Sequence, residues 1–390
     1  MCSVAGSPTN KETLKMLEMM KHRSPDGYHS VNGIGMGLLS ITGDSPFPFV
    51  YGDDILTFNG EIYNYKDFIN EFELTTDSDT EVLYHLYKRY GIDCLNKLNG
   101  MFAFAIKSGD TIFLARDIAG EKPLYYSLRG GQLRFASEAK ALGFKCEEFP
   151  PAHYGIFKKG DLQLVRYWTP KKRVIDMEKA EDELTDLIED SVRLRTDTKR
   201  PYALFYSGGV DSTLLRQFSK PQELLTYTDG DYKEEFLQSL SKIVWHLDYP
   251  VKSFSAFGLW KLSQQAREQG YRIILSGEGA DELFGGYIRY LPDALGSQAL
   301  NRYPHYEQYF PHHRDINELG WEDFNGNMQE LLRMGDRMAG AWGVENRCPF
   351  LDKRIIEFAF SLPPESKIDG FTTKKILRNV LSRLQPTYQH

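Results

Sequence analysis

The stretch YSGGVDS, residues 206–212, decides how the second half of this chain folds. It follows the apolar run PYALFY and precedes the run TLLRQF. This order of apolar strand, glycine-rich turn and helix is typical of a parallel sheet covered by helices. In such a turn, backbone N–H groups and the helix N-terminus can bind a polyanion, and glycines let it approach closely. A turn that only caps the helix would explain Ser212 but not the whole run.

A second glycine-rich turn supplies carboxylates. SGEGADELFGGY, residues 276–287, begins at the end of the strand-like run RIILSG. Mg²⁺ prefers hard oxygen ligands together with phosphate oxygens. Asp211 and Asp281 are therefore the candidate Mg²⁺ ligands. No G-x-x-x-x-G-K-[ST] pattern of a Walker loop occurs, so a different phosphate-binding loop is predicted.

Residues 1–165 show a different pattern, because short strand-like runs such as ILTFNG, MFAFAI and TIFLARD alternate with turns. This pattern predicts antiparallel sheet with a few helices, among them KETLKMLEMMKH and TEVLYHLYKRY. Pro150, Pro151 and Pro170 mark a boundary region. We therefore predict an α+β domain over residues 2–168 and an α/β domain with a parallel sheet over residues 175–390.

The chain begins MCSVAG, which places a thiol directly after the initiator methionine. If Met1 is removed, Cys2 carries a thiol and a free α-amine on one residue. An α-amine titrates near about 7.7–8.0 and can take the thiol proton, so the pair forms a nucleophile with its own base. The run FNGEIYN, residues 58–64, offers the Asn59 side-chain amide and the Gly60 N–H as donors for an oxyanion. Asn-Gly is also the commonest signal for a tight turn.

Bulk properties exclude several classes of protein. The chain has 390 residues and a formal net charge of −7, which disfavours nucleic acid as a partner. No apolar run approaches the 18 or so residues of a membrane span, and no signal peptide is visible. The four cysteines are too widely spaced for a zinc site or a disulfide framework. Cys94 and Cys348 are expected in the core, and a cytoplasmic location is predicted.

Several segments resemble, in order, the N-terminal-nucleophile glutaminase domain of asparagine synthetases: MCSVAG, HRSPDG (22–27), FNGEIYN, SDTE (78–81), LNGMFAFAI (98–106), LARDIAGEKPLYY (114–126) and FASEAKAL (135–142). The resemblance implies a fold with two antiparallel sheets between helices. It also implies that Cys2 attacks the glutamine side-chain amide and that Asn59 and Gly60 hold the oxyanion. Glu61 and Asp79 would then bind the glutamine α-amine.

The second half resembles the ATP pyrophosphatase domain of the same family in SGGVDS, SGEGAD, WGVENRCPFLD (342–352) and KKILR (374–378). The resemblance implies that ATP is a co-substrate cleaved between its α and β phosphates. Glu278 would lie near the acyl acceptor, and Lys374 would reach the α-phosphate, whereas Lys375 is expected on a solvent-exposed helix face. The implied ATP contacts are Ser207, Gly208, Gly209, Val210, Asp211, Ser212, Ser276 and Gly277.

The implied reaction uses aspartate, ATP and a nitrogen donor, which is either glutamine or ammonia. Its products are asparagine, AMP and pyrophosphate, with glutamate formed from glutamine. Ammonia released from glutamine would cross an internal channel. Two features depart from the family. Leu38 stands where relatives carry an arginine that binds the glutamine carboxylate, which predicts a high KM for glutamine with ammonia still used. Only about 60 residues separate the two glycine-rich turns, so segments of the acceptor pocket are shortened.

Two alternatives therefore stay open. In one, the same scaffold amidates a carboxylate other than aspartate. In the other, the chain is a binding or regulatory protein derived from an inactive synthetase. A homodimer is an assembly that the sequence leaves open.

Overall fold

The computed structural model describes residues 1–143, 145–227, 230, 232–291 and 315–386, so parts of the predicted 175–390 domain lie outside the described residues. Two antiparallel sheets dominate the first half, with the spatial orders β10-β8-β9-β1-β3-β2 and β12-β11-β7-β6-β5-β4. The strands are β1 (Ser3–Gly6), β2 (Tyr28–Val31), β3 (Ile34–Gly37), β4 (Phe49–Tyr51), β5 (Asp54–Ile62), β6 (Gly100–Ser108), β7 (Thr111–Arg116), β8 (Tyr125–Arg129), β9 (Gln132–Ala136), β10 (Glu147–Glu148), β11 (His153–Lys158) and β12 (Asp161–Arg166). The helices are α1 (Asn10–Met19), α2 (Asp79–Tyr90) and α3 (Cys94–Lys97).

The two sheets pack face to face through apolar side chains on their inner faces, and strands β1, β3, β5 and β6 are buried on both sides. Val4 and Phe135 of the first sheet meet Ile55 and Leu114 of the second in one apolar layer. Helix α1 covers the outer face of the first sheet, and α2 covers that of the second. The predicted α+β fold, with two antiparallel sheets between helices, is confirmed.

The second half is built around a parallel sheet with the order β14-β13-β15-β16, as predicted. Its strands are β13 (Tyr202–Phe205), β14 (Glu223–Leu225), β15 (Ile273–Leu275) and β16 (Glu345–Arg347). Among the described residues, the helices of this half are α4 (Ala180–Thr196), α5 (Val210–Phe218), α6 (Lys233–Leu247), α7 (Ser255–Glu268), α8 (Ala280–Phe284), α9 (Ile316–Asn325), α10 (Asn327–Gly340), α11 (Lys353–Ser361), α12 (Pro364–Lys367) and α13 (Lys375–Leu384).

Helices cover both faces of this sheet. Leu184 of α4, Leu214 of α5 and Leu377 of α13 pack with Leu204 and Leu275 in the largest apolar cluster. Helix α7 contacts β14, and Ala266 of that helix packs against the opposite face. The carboxyl ends of β13 and β15 lead into the two glycine-rich turns, and ligands bind at this edge of a parallel sheet. Within the described ranges, no helix is both long and apolar enough to cross a membrane.

Buried ion pairs join the two halves. The Arg23 guanidinium lies 3.1 Å from Glu138 of its own half and 2.7 Å from Asp336 on α10, and it is fully buried. Arg347 at the end of β16 reaches back to Glu61, with 3.1 Å between Nη2 and Oε2. Removing one partner of such a pair leaves an uncompensated buried charge, which is strongly destabilising. The interface therefore fixes the two halves relative to each other.

Candidate functional site: two pockets linked by one strand

The first pocket opens beside Cys2 and has a volume of about 330 Å³. Strand β1 brings Cys2 to its wall, and β5 contributes Gly60 and Glu61. Asp79 enters as the first residue of α2, where Ser78 caps the helix by accepting a hydrogen bond from the Thr80 N–H. Four of the five residues predicted for glutamine chemistry thus line one cavity.

Met1, which precedes Cys2, is completely buried. Burial lowers the pKa of the Met1 α-amine to about 5, and burial raises the pKa of the Cys2 thiol to about 11. The Leu39 N–H lies 3.4 Å from the Cys2 sulfur. A thiol in this state is protonated and a poor nucleophile. Removal of Met1 would place the amine on Cys2 itself.

Asn59, the remaining predicted residue, is fully buried on β5 opposite Ala103 of β6. Its side-chain nitrogen and oxygen make no hydrogen bond within the described part of the chain. Buried amides are nearly always paired, so this amide is available to a ligand. Gly60 follows at a point where a side chain would overlap the Met101 carbonyl, with a Cβ at only 2.0 Å from that oxygen. Only glycine fits here.

Four carboxylates line the Cys2 pocket: the buried Glu61, Asp79 and Glu345, and the exposed Asp44. Burial raises the pKa of Glu61 and Asp79, and for Asp79 the nearby Glu61 charge adds to this rise. Arg347 opposes the rise at Glu61. The Asp79 carboxylate accepts a hydrogen bond from the Ile62 N–H at 2.9 Å. A group of buried acids next to a nucleophile suits a ligand that carries an ammonium group.

No arginine or lysine side chain lines this pocket among the described residues, and Leu38 occupies part of its wall. Arg23 does not replace the missing arginine, because its guanidinium is bound to the Cys2 carbonyl and to Glu138 and Asp336. A neighbouring cavity shares residues 40–44 with this pocket, and Arg200 lines it. A carboxylate in the Cys2 pocket therefore lacks the cation that the family pattern would provide.

The second pocket, of about 420 Å³, lies at the carboxyl ends of β13, β14 and β15. Of the predicted nucleotide contacts, those that line it are Ser207, Asp211, Ser212, Ser276 and Gly277. Gly208 adopts a left-handed conformation, with φ of 76°, in the turn before α5. The Val210 side chain packs into the core, which leaves only its main chain for a ligand. Sequence reasoning missed the apolar wall formed by Leu225, Leu259 and Leu262.

Lys374 lies between the two predicted metal ligands. Its Nζ is 2.6 Å from Asp211 Oδ2 and 2.8 Å from Asp281 Oδ1. Lys374 has a left-handed backbone, with φ of 53°, and such strain is common at functional sites. Gly286 permits the arrangement, because a Cβ there would approach Asp281 Oδ1 to 1.8 Å. Lys375 instead pairs with Asp369 at the surface, as expected.

The two aspartates fit a cation, since they already share one in Lys374. Asp211 Oδ1 is buried and has no hydrogen-bond partner among the described residues. Burial raises the pKa of Asp211, and the Lys374 charge opposes that rise. Across the described ranges, no group of three or more His, Cys, Asp and Glu side chains could hold a metal ion alone. Phosphate oxygens would have to complete the coordination of Mg²⁺ here.

The Glu278 carboxylate is held firmly at the bottom of the second pocket. Its Oε2 accepts hydrogen bonds from Ser276 Oγ at 2.8 Å and from Asn346 Nδ2 at 2.7 Å, and Cys348 Sγ lies 3.3 Å away. Cys348 is buried in the core as predicted, but it also contacts this carboxylate. The run WGVENRCPFLD carried a family resemblance, yet nothing in it indicated that Asn346 and Cys348 would meet Glu278.

Strand β16 and the residue after it connect the two pockets. Glu345 lines the Cys2 pocket, and Arg347 binds Glu61 there. Asn346 and Cys348 contact Glu278 in the other pocket. Successive side chains of a strand point to opposite faces, so one strand can serve two sites. The two pockets are thus linked through four consecutive residues.

Comparisons with known proteins extend over both halves. Residues 1–152 match the family model of the glutamine amidotransferase domain, and residues 183–229 and 232–388 match that of asparagine synthase. The chain is 28% identical to asparagine synthetase [glutamine-hydrolyzing] 1 of Bacillus subtilis, over 99% of this chain and 83% of that protein. It is 28% identical to asparagine synthetase B of Escherichia coli, over 99% of this chain and 80% of that protein. It is 30% identical to asparagine synthetase 2 of Arabidopsis thaliana, over 96% of this chain and 72% of that protein.

Proposed function

Because this chain belongs to the asparagine synthase family, we propose that it is a ligase that makes asparagine from aspartate, ATP and the amide nitrogen of glutamine. Glutamate, AMP and pyrophosphate are the other products. The observation that carries the proposal is the pair of pockets linked through β16, one beside Cys2 and the other lined by Asp211, Asp281 and Glu278. The domain bounds 2–168 and 175–390, a cytoplasmic location and a homodimer stay predictions.

The first half-reaction takes place at Cys2 once Met1 has been removed. The Cys2 α-amine takes the thiol proton, and the thiolate attacks the glutamine side-chain carbonyl. The Asn59 side-chain amide and the Gly60 N–H donate hydrogen bonds to the oxyanion that forms. Glu61 and Asp79 bind the glutamine α-amine. The protonated Cys2 α-amine passes its proton to the leaving nitrogen, and ammonia leaves as the thioester forms. Water then hydrolyses the thioester to give glutamate.

The second half-reaction activates the acceptor. N–H groups of residues 207–212 and the N-terminus of α5 bind the phosphates of ATP. Lys374 stabilises negative charge at the α-phosphate while the aspartate β-carboxylate attacks it and pyrophosphate leaves. Asp211 and Asp281 would hold Mg²⁺, whose chemistry here is to neutralise phosphate charge. Ammonia then attacks the β-aspartyl adenylate near Glu278, which is positioned to take the surplus proton.

A closed route between the pockets protects both reactants. Ammonia released into neutral water would be protonated and lose its lone pair, and the adenylate would be exposed to hydrolysis. The residues that lie between the Glu61 and Glu278 side chains are withdrawn from solvent, which would keep water out of such a route.

A screen of acceptors tests this proposal. The enzyme, with Met1 removal verified by its intact mass, is incubated with MgATP, ammonium and single carboxylic acids, and pyrophosphate and the amide product are measured. Aspartate should release pyrophosphate and yield asparagine. Glutamate, one methylene longer, serves as the matched control and should give little of either. If aspartate gave none while another acid reacted, the acceptor would be that other acid.

The charge of the Cys2 pocket favours a second candidate, a synthetase that uses ammonia in preference to glutamine. The pocket wall carries Leu38, and no cationic side chain among the described residues lines it. Comparing kcat/KM for ammonium with that for glutamine, under the same acceptor conditions, separates the two. A KM for glutamine in the low micromolar range would reject this candidate.

A further inference from the structure

The Cys2 pocket adjoins a cavity of about 490 Å³ that no step of the proposed reaction uses. Both are lined by residues 40–44, so they meet along this segment. The adjoining cavity lies where the two halves of the chain come together, because Lys66 and Asp77 belong to the first half and residues 197–200 follow α4 of the second. A ligand bound at Cys2 therefore has room to extend across the segment.

The Cys2 pocket disfavours the α-carboxylate of free glutamine. Leu38 forms part of its wall, three buried carboxylates line it, and no lysine or arginine does so among the described residues. A carboxylate withdrawn from water without a cation is costly. A peptide bond at the same place carries no charge, so it avoids this cost. Unpaired charges of this kind let a site discriminate between two ligands.

The adjoining cavity supplies the cations that the Cys2 pocket lacks. Lys66 is paired with Asp197, with 2.6 Å between Nζ and Oδ2. Lys199 and Arg200 are exposed, and neither forms an ion pair with a carboxylate in the part of the chain that the structure describes. A guanidinium binds a carboxylate through two parallel hydrogen bonds, and a neighbouring ammonium adds a point charge. These two consecutive residues therefore suit a carboxylate.

Two acids of the adjoining cavity lie against residues 40–44. The Asp44 N–H donates to Asp77 Oδ1 at 3.1 Å, and a Cβ on Gly43 would lie 2.9 Å from the same oxygen. Lys199 and Arg200, in contrast, belong to the second half of the chain. This distribution fits a ligand that is neutral where it crosses the segment and anionic at its end. A short peptide with a free C-terminus has this charge pattern.

We propose that the Cys2 pocket hydrolyses the side-chain amide of an N-terminal glutamine in a short peptide, whose C-terminal carboxylate binds Lys199 and Arg200. The Cys2 thiolate attacks the side-chain carbonyl, the C–N bond breaks, and the leaving nitrogen takes the proton held by the Cys2 α-amine. Water then hydrolyses the thioester, which releases ammonia's partner product, a peptide with N-terminal glutamate, and restores the thiol. The inference rests on the proposed function for Cys2 as nucleophile and changes only the nitrogen donor.

Hydrolysis of L-glutamine, Gln-Gly and Gln-Gly-Gly by the full-length protein, with Met1 removal verified, tests this inference. Two peptide lengths are used because each residue adds at most about 3.3–3.6 Å of reach. The acid products are measured by mass spectrometry, since an N-terminal glutamine also loses ammonia by spontaneous cyclisation. For at least one peptide, kcat/KM should exceed that for glutamine about tenfold or more. Gly-Gln, which has an acylated glutamine α-amine and a free α-carboxylate, should give little product.

Variants of the adjoining cavity test where the C-terminus binds. Arg200→Met should lower the ratio of kcat/KM for the peptide to that for glutamine about tenfold, and Lys199→Met should lower it less. Arg193→Met is the control, because this exposed arginine of α4 pairs with Asp190 and lines neither cavity.

Two results would overturn the inference while the proposed function stands. One is hydrolysis of glutamine at least as efficient as that of both peptides. The other is a peptide-to-glutamine ratio that Arg200→Met and Lys199→Met leave unchanged. If neither glutamine nor a peptide is hydrolysed, the proposed function of the Cys2 pocket fails together with the inference.

Discussion

The two pockets differ in how they handle charge. Around Lys374, the chain places a cation between two carboxylates, with 2.6 and 2.8 Å contacts, so the site is nearly balanced before any ligand binds. Beside Cys2, three buried carboxylates converge on the cavity, and the nearby cation Arg347 pairs with Glu61. The site around Lys374 suits a polyanion with its own metal ion. The Cys2 pocket suits the ammonium end of an amino acid but not its carboxylate.

This contrast teaches that the sites need not be equally matched to their substrates. The nucleotide pocket keeps its predicted charged groups together, whereas the Cys2 pocket has Leu38 where the family has a cation. A synthetase of this kind would depend on supplied ammonia more than on glutamine. The predictions below test this difference.

The largest effect is expected from Cys2→Ala. Glutamine-dependent synthesis should be abolished because the nucleophile is lost, while synthesis from ammonium should continue at its normal rate. Measuring asparagine formation with each nitrogen donor checks this. Cys94→Ala is the matched control, since Cys94 is buried in the core of the first half and touches neither pocket. Loss of both activities in Cys2→Ala would mean that the two sites do not divide as proposed.

Lys374→Met should lower the rate of aspartate-dependent pyrophosphate release by about 10²–10³-fold, as expected when a group that stabilises transition-state charge is removed. Glutaminase activity should be unchanged. Lys375→Met is the control, because that lysine pairs with Asp369 at the surface. Equal losses in both variants would argue that the lysines act through the stability of α13 and not at the phosphate.

Much of this arrangement could be predicted from sequence because it is local. Asp211 follows its glycines within one turn, and the strand before that turn is a short apolar run. The contacts made by Arg347 and Cys348 could not be predicted, since Glu61 lies 286 positions from Arg347 in the chain.

Leu38→Arg should lower the KM for glutamine by about 10–100-fold, the value of a charge-assisted hydrogen bond of about 1.5–3 kcal/mol. The KM for ammonium should not change, because the substitution lies in the Cys2 pocket. Leu38→Met should resemble the natural chain. If Leu38→Arg had no effect on the KM for glutamine, the α-carboxylate of glutamine would be bound by another residue. Arg200 lines the neighbouring cavity, so Arg200→Met should in that case raise the KM for glutamine.

The smallest effect concerns pH. Burial raises the pKa of Glu61 and Asp79, and a neighbouring charge adds to each rise, that of Glu345 at Glu61 and that of Glu61 at Asp79. Both carboxyls therefore take up protons at a higher pH than ordinary carboxyls do. A protonated carboxyl cannot pair with the glutamine ammonium group. The KM for glutamine should therefore rise as pH falls through the raised pKa values, by up to about tenfold per pH unit for one group. In Asp79→Asn the KM should be high throughout and less dependent on pH. The KM for ammonia, calculated for the neutral species, provides the comparison, since ammonia carries no group that these carboxylates bind. A glutamine KM with the same pH dependence in Asp79→Asn as in the natural chain would remove Asp79 from the α-amine site.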